Sequence, residues 1–415
     1  MKMTYTEKIF FFLIFLSFPA KFLPAQNIFK PFPQHVKYND AVIKPDHITQ
    51  QQLDDSTCSF YKQWKNHYVK DADGNGQLYI AAEGSAGNKK CVSEGQGYGM
   101  MIIALMAGYD TTAQKIYDGL FHYYKKHPSK NNSSLMAWAQ TIGFKDADGS
   151  SATDGDMDIA YSLLLADAQW GSKGDINYLQ EATSVITAIR QQEINAVTFS
   201  VLLSNAVESD SRDYFDMRSS DFMPAHFKSF GIVTKDSFWN KVVSANYALF
   251  NFLQKRYSPD AGIFPDFIQR INKKPVPCMP NYLESKYDGC YNYNACRVPW
   301  RIATDFIIYG DSRSKIITEK INKWIRETTS ENPDSISAGY KLNGDDLRTR
   351  NFEAMSFIGS FAIAAMVDAK NQKWLNALWD YIVGFNIDQY DYYDNTIKMI
   401  DLVILSGNYW APSHN

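Results

Sequence analysis

The sequence lacks the patterns that mark several large classes of protein. Its hydrophobic run at residues 9–18 is too short to span a bilayer. The five cysteines are not spaced as metal-binding pairs, and the seven histidines show no ligand spacing, so we expect no metal and no cofactor. The formal net charge of −3 argues against a nucleic-acid partner. The sequence therefore gives no indication of a membrane-spanning, metal-dependent or nucleic-acid-binding protein.

The first 25 residues have the composition of a secretory signal peptide. Lys2 and Lys8 flank the start of the apolar run, and small residues follow at Ala20 and Ala25. We expect cleavage near Ala25 and export to the periplasm or the extracellular space. Removal of this segment takes away three lysines and one glutamate, which moves the formal charge from −3 to −5.

No Pro- or Ser-rich linker divides residues 26–415, so we expect a single domain, and we expect it to be monomeric. Segments with helical periodicity dominate it, and amphipathic segments alternate with segments that are apolar on nearly every face. The twelve predicted helices cover residues 48–68, 93–108, 111–127, 156–169, 175–194, 220–229, 236–254, 297–309, 312–328, 352–368, 371–384 and 393–408. This alternation predicts an all-α fold with six inner and six outer helices in a double ring.

Two of the apolar helices begin at turns that carry carboxylates. Asp154 reads as the last loop residue or the cap of a helix that starts near residue 157, and Glu94 follows Ser93, a candidate N-cap. Capping explains one carboxylate but not three within residues 154–158. Because all inner helices of such a ring begin at the same end, we expect Glu94, Asp154 and residues 294–297 to converge on one rim. Paired carboxylates there favour acid–base chemistry.

Both junctions resemble the signatures of glycoside hydrolase family 8. Residues 152–170 and 93–100 match the two hallmark motifs, and the resemblance extends from about Trp64 to Trp410. It implies an (α/α)6 barrel and an inverting endo-acting glycosidase with a long open cleft. It also implies that Glu94 is the general acid, and that Asp154 binds the sugar at the cleavage point and helps to distort its ring.

The sequence departs from the commonest family pattern at the general base. Asn294 stands where many members have an aspartate, and an amide cannot deprotonate water. A chitosanase-like branch has this Asn and takes its base from an inserted loop, which predicts Glu284 as the base here. Asp288 is a rival, although its place before Gly289 reads better as a turn residue. Inversion requires the two carboxyl groups to lie about 6.5–9.5 Å apart.

Five further positions have open interpretations, and we assign three of them, Trp138, Arg297 and Tyr98, to substrate binding together with Asn294. Cys278 and Cys290 bracket Glu284, and a disulfide between them would limit the freedom of the loop. Trp138 resembles a family tryptophan that stacks on sugar, with core packing as the alternative.

The other two are polar residues near the predicted rim. Arg297 either orients the Asn294 region or binds sugar hydroxyls, and a buried ion pair is the alternative. Tyr98 either lines the cleft or packs in the core.

These interpretations predict a secreted endo-chitosanase that hydrolyses β-1,4 links with inversion, with a polysaccharide as its partner. An endo-β-1,4-glucanase or mixed-linkage β-glucanase is the nearest alternative. A third alternative is a binding protein and not an enzyme: a glycan-binding barrel in which Asn294 marks the loss of the catalytic base. A polysaccharide lyase on the same fold is disfavoured by the Glu94 and Asp154 motifs.

Overall fold

The computed structural model describes residues 28–82, 87–352, 354–387 and 391–412. The predicted signal peptide lies outside these residues. Twelve α-helices are present in them: α1 Gln50–Tyr68, α2 Ser93–Leu105, α3 Ala113–Lys126, α4 Thr153–Trp170, α5 Tyr178–Gln192, α6 Pro224–Thr234, α7 Phe238–Tyr257, α8 Val298–Tyr309, α9 Ser312–Thr328, α10 Met355–Ala365, α11 Gln372–Val383 and α12 Tyr392–Leu405. Each corresponds to one of the helices predicted from the sequence.

The even-numbered helices form a closed inner ring. Each packs against the next, from α2 through α4, α6, α8 and α10 to α12, and α12 packs back against α2. The odd-numbered helices form the outer ring, because α3, α5, α7, α9 and α11 each pack on the inner helix that precedes them, and α1 packs on α12. This arrangement confirms the predicted (α/α)6 barrel.

Burial follows the hydrophobic pattern of each ring. Every residue of α10 is buried, and so is every residue of α2 except Glu94, since these inner helices are covered on all sides. The outer helices α3, α9 and α11 bury one face and expose a charged one. None of the helices in the described residues is both long enough and apolar enough to cross a membrane.

Short strands, which the sequence did not indicate, are found in the loops. They are β1 Val69–Asp71, β2 Leu78–Ile80, β3 Cys91–Val92, β4 Ala139–Gln140, β5 Met217–Arg218, β6 Phe267–Gln269 and β7 Val276–Pro277. All pairs are antiparallel: β1 with β2, β3 with β4, and the central strand β6 with both β5 and β7. With two or three residues each they are too short for a periodic sequence signal. Two of them, β3 and β5, lead directly into inner-ring segments and fix where these begin.

Ten of the twelve helix starts differ from the prediction by one to four residues, and two of these differences have a clear physical reason. Helix α4 begins at Thr153, so Asp154 lies inside its first turn and is neither a loop residue nor the cap, and Ala152 occupies the N-cap without a side-chain hydrogen bond. An acidic first turn is stabilised by the helix dipole, which allows the earlier start. Helix α6 begins later than predicted, at Pro224, because proline is favoured in a first turn and disfavoured further inside.

Glycines allow α2 and α4 to approach closely below the cleft. A Cβ on Gly155 would stand 2.7 Å from the carbonyl carbon of Ser93 and 2.8 Å from the amide nitrogen of Glu94. A Cβ on Gly97 would stand 2.7 Å from the Cβ of Asp158. The backbone that carries Glu94 therefore rests directly on the first turn of α4.

We predict that Gly155→Ala destabilises the protein and moves Glu94. The added methyl meets backbone atoms that cannot rotate away, so we expect a net loss of roughly 2 kcal/mol in the free energy of unfolding. Urea denaturation measures this loss. The matched control is Gly174→Ala, an exposed position with no atom within 4 Å of the added methyl. Equal stability of the two variants would contradict the close packing described here.

Candidate active site

A cleft lies at the end of the barrel where the inner helices begin. Its volume is about 840 Å³. The side chains that line it include those of Glu94, Trp138, Asp154, Arg218, Glu284 and Asn294. These residues come from five separate parts of the chain, so the predicted convergence of polar clusters on one rim is present in the structure.

Arg297 connects the two predicted carboxylates. It lies in the 3₁₀ turn Ala295–Arg297 that leads into α8, and its side chain is 1% exposed. Its Nη1 donates to Oε2 of Glu94 at 2.5 Å and to Oδ2 of Asp154 at 2.9 Å, and its Nη2 donates to Oδ1 of Asn294 at 3.0 Å. A buried guanidinium needs such compensation. Arg297 thus forms a buried ion pair and orients Asn294, and it is too buried for contact with sugar hydroxyls.

Glu94 lies in the first turn of α2 with 18% of its side chain exposed to the cleft. Burial raises the pKa of Glu94 to about 7. Arg297 lowers this pKa, the charge of Asp154 raises it, and the hydroxyl of Tyr392, which donates to Oε1 at 3.1 Å, lowers it. Burial and the neighbouring carboxylate outweigh the two donors and the helix dipole. The carboxyl group therefore retains its proton close to neutral pH, as a general acid requires.

Asp154 has the opposite protonation state. Burial raises the pKa of Asp154, but Arg218 and Arg297 outweigh this effect and bring it down to about 2. Nη1 of Arg218 lies 3.6 Å from Oδ1, and the N–H of Gly155 donates to Oδ1 at 3.0 Å. Asp154 therefore stays ionised and balances Arg297, which leaves Glu94 free to be neutral.

Glu284 faces the same cleft from the loop that follows β7. Its side chain is 46% exposed. Oε2 accepts a hydrogen bond from Nδ2 of Asn294 at 2.7 Å, and Oε1 lies 3.5 Å from Nη2 of Arg218. The Asn294 amide therefore links the carboxylate of Glu284 to Arg297 and, through it, to Glu94.

The loop that carries Glu284 is held by Asp288. This side chain is fully buried, and its carboxylate accepts the backbone N–H groups of Leu283 at 2.7 Å, Glu284 at 2.9 Å and Ser285 at 2.7 Å. Both carboxylate oxygens of Asp288 are therefore used in hydrogen bonds within the loop, and the residue does not line the cleft. Its prediction as a turn residue fits this geometry, and its candidacy as the base does not.

The suggested disulfide across this loop is absent. All five cysteines are free thiols, including Cys278 and Cys290. The N–H of Cys278 donates to the carbonyl of Phe267 at 3.1 Å, and the carbonyl of Cys290 accepts from the N–H of Asp266 at 2.8 Å. Backbone pairing to the β6 region thus brings the two ends of the loop together without a covalent link.

Asp266 fixes the turn that presents Asn294. It is 1% exposed, and its Oδ1 accepts the backbone N–H groups of Asn292 at 3.0 Å and Ala295 at 2.7 Å. The pKa of Asp266 is raised to about 7. Burial is the largest cause and the charge of Glu284 adds to it, while these hydrogen bonds lower the pKa.

The remaining two predicted residues differ in their placement. Trp138 is partly exposed at the cleft, its Nε1 donates to Oδ2 of Asp148 at 2.9 Å, and the ammonium of Lys89 lies 5.5 Å from its ring centroid. This placement is suited to stacking on a sugar. Tyr98 is fully buried, and its hydroxyl accepts a hydrogen bond from Arg297 at 3.2 Å. The assignment of Tyr98 to substrate binding is therefore wrong, because it has no surface in the cleft and supports Arg297 from behind.

Three residues of the site were missed in the sequence. Arg218 precedes α6, Tyr392 begins α12, and Asp266 follows the apolar segment 261–264. A signal was available for Tyr392, since it stands at the start of an inner helix, as Glu94 does. Arg218 instead ends β5, before the 3₁₀ turn Ser219–Asp221 that precedes α6. The described residues contain no group of three or more His, Cys, Asp or Glu side chains arranged to hold a metal ion.

The (α/α)6 barrel thus presents two carboxyl groups, those of Glu94 and Glu284, to one open cleft, and glycoside hydrolysis uses such a pair. The family model for glycosyl hydrolases family 8 matches residues 47–407. The chain belongs to this family, and it is a glycoside hydrolase.

Known relatives share most of the length of the chain. It is 43% identical over 401 residues to a β-glucanase of Niallia circulans, covering 96% of this chain and 95% of that protein. It is 39% identical to an endoglucanase of Bacillus sp. strain KSM-330, covering 92% and 82%. The solved structure of a β-1,3-1,4-glucanase from Paenibacillus sp. X4 superposes with a TM-score of 0.88 at 42% identity, covering 92% of this chain and 99% of that one.

We predict that the alkaline limb of the pH–rate profile reports the ionisation of Glu94. Activity should fall as the pH rises through about 7, because the ionised form has no proton to donate. In Tyr392→Phe the ionised form loses a hydrogen-bond donor, so the pKa of Glu94 should rise and the limb should move to higher pH. The control is Tyr393→Phe, whose hydroxyl donates to the carbonyl of Tyr293. A limb that stays in place in Tyr392→Phe would argue against Glu94 as the titrating acid.

Proposed function

We propose that the protein is a secreted endo-β-glucanase that hydrolyses its polysaccharide with inversion, with Glu94 as general acid and Glu284 as general base. One observation carries this proposal. The side chains of Glu94 and Glu284 line a single cleft, and the chain of contacts through Arg297 and Asn294 separates them. Two carboxyl groups that face one cleft without touching leave space for a water molecule and a sugar.

The surroundings of the two groups suit their roles. The proton of Glu94 passes to the glycosidic oxygen as the bond to the anomeric carbon breaks. Glu284 accepts a proton from a water molecule, and the oxygen of that water attacks the anomeric carbon from the opposite face. Asn294 donates to Glu284 and so orients its carboxylate, while the exposed position of Glu284 gives it access to water.

Asp154 and Arg218 complete the site without transferring a proton. Asp154 lines the cleft as a permanent anion, which suits hydrogen bonding to sugar hydroxyls and stabilisation of positive charge in the transition state. Arg218 lies between Asp154 and Glu284, within 3.6 Å of the first and 3.5 Å of the second. It reduces the repulsion between the two carboxylates.

The substrate is better described as β-glucan than as chitosan, which the sequence had favoured. Relatives that cover more than nine-tenths of the chain include a β-glucanase, an endoglucanase and a β-1,3-1,4-glucanase. Chitosan stays the second candidate because Glu284 lies on the loop that the chitosanase-like branch uses.

We predict that Glu284→Gln lowers kcat by roughly 10²–10⁴-fold, because an amide cannot accept the proton from water. Oligosaccharide binding should persist, since the amide has nearly the same shape. The control is Glu319→Gln on the outer helix α9, where the carboxylate lies 3.6 Å from Lys315 at the surface. An unchanged hydrolysis rate in Glu284→Gln would remove this residue from the mechanism. Binding without cleavage by the wild type would favour the glycan-binding barrel.

We predict faster initial hydrolysis of barley mixed-linkage β-glucan than of chitosan at equal mass concentration. Proton NMR of the first products should show the α-anomer, because inversion of a β-link gives this configuration. Faster turnover of chitosan would restore the alternative substrate. An initial β-anomer would exclude the inverting mechanism for either polymer.

A further inference from the structure

Two buried carboxyl groups lie below the cleft and take no part in the mechanism above. Asp156 is in the first turn of α4, and Glu193 is the C-cap of α5. Both side chains are 0% exposed, and they interact directly with each other.

Each carboxyl group uses one oxygen for a conventional hydrogen bond. Oδ1 of Asp156 accepts the backbone N–H of Met136 at 2.8 Å, and Oε1 of Glu193 accepts the hydroxyl of Ser151 at 2.5 Å. The second oxygens, Oδ2 of Asp156 and Oε2 of Glu193, form no hydrogen bond with a donor of the described residues, although the hydroxyl of Thr153 lies near Glu193. Buried acceptors without a donor are rare. A proton held between these two oxygens satisfies both.

The charges around the pair support this arrangement. Burial raises the pKa of Glu193 to about 7 and the pKa of Asp156 well above its usual range, and the two groups resist joint ionisation. The ion pairs of the described residues include none with either carboxylate.

The titratable neighbours supply no positive charge either. Asp154 on the same helix is ionised, and Tyr124 from α3 donates its hydroxyl to the carbonyl of Ser134 at 2.6 Å. His226 on α6 is paired with Asp158 at 3.0 Å. The proton is therefore the only positive charge that these described groups offer to the pair.

We infer that Asp156 and Glu193 share one proton and act as positioning residues for Trp138, an aromatic residue of the cleft. The inference rests on the proposed function, because a glycan substrate in this cleft would stack on Trp138. Asp156 holds the N–H of Met136, two residues before Trp138. The backbone of Trp138 donates to the carbonyl of Ser150 at 2.8 Å and accepts the N–H of Ser93 at 2.8 Å. The pair thus anchors a segment that is bonded to the residue next to Glu94.

Loss of the shared proton leaves two adjacent buried anions. Their repulsion separates α4 from the end of α5, and the Met136 anchor moves with Asp156. We expect substrate binding to weaken more than chemistry, because Trp138 contacts the sugar whereas Glu94 and Glu284 are held by Arg297, Tyr392 and Asn294. The sign follows from the raised pKa values: the stabilising proton is present at low pH and is lost as pH rises above neutral.

The test uses amide variants that make the shared hydrogen permanent. In Asp156→Asn the new Nδ2 can donate to Oε2 of Glu193 while Oδ1 still accepts from Met136, and Glu193→Gln is the reciprocal change. We expect the KM of the wild type for β-glucan to rise roughly fivefold or more between pH 6 and pH 9. In both variants KM should stay nearly constant over this range, while the kcat profile set by Glu94 persists. The control Glu181→Gln, on the outer face of α5, should behave as wild type.

A second measurement needs neither substrate nor a variant. Amide hydrogen-exchange rates are first divided by the intrinsic rate at each pH. Above neutral pH, the corrected rate of residues 134–138 should then increase by more than that of the buried helix α10. A KM profile identical in wild type and both amide variants, or equal acceleration in the two segments, would overturn the inference. If the wild type cleaves no glucan at any pH, the proposed function fails, and the exchange measurement still tests the shared proton.

Discussion

The site depends on one buried guanidinium that contacts two carboxyl groups. Arg297 carries a single positive charge, and Asp154 already has a second arginine, Arg218, beside it. Ionisation of Asp154 therefore costs less free energy than ionisation of Glu94, and the proton remains on Glu94. The same guanidinium holds the amide of Asn294, which orients Glu284. One side chain thus sets the protonation of the proposed acid, Glu94, and, through Asn294, the orientation of the proposed base, Glu284.

The barrel makes this convergence possible. Ring closure brings the N-terminal ends of all six inner helices to one rim, although their residues lie up to about 300 positions apart in the chain. Contacts between glycines and backbone set the spacing at this rim, as at Gly155 below Glu94. Short strands at β3 and β5 fix the two points where the chain enters α2 and the 3₁₀ turn before α6.

The fold could be predicted from sequence because its signal is repeated twelve times. Alternating amphipathic and apolar helices indicate an outer and an inner ring. Glu94 and Asp154 could be predicted as site residues because both stand at the start of an apolar helix. Tyr392 occupies an equivalent position but was missed, since a tyrosine at a helix start has an ordinary structural explanation. Arg218 was missed because it ends a two-residue strand, which leaves no periodic signal in the sequence. The role of Asp288 was beyond sequence reasoning, because it depends on three backbone N–H groups that only the folded loop brings together. Tyr98 was misjudged because a motif gives the neighbours of a residue along the chain but not its exposure.

The Asp288 turn has a consequence for where the enzyme can mature. The segment that presents Glu284 is closed by hydrogen bonds from a buried carboxylate, while Cys278 and Cys290 remain thiols. Its shape is therefore independent of redox potential. Formation of the loop that carries Glu284 therefore requires no oxidation of these two thiols, in a reducing or an oxidising compartment alike.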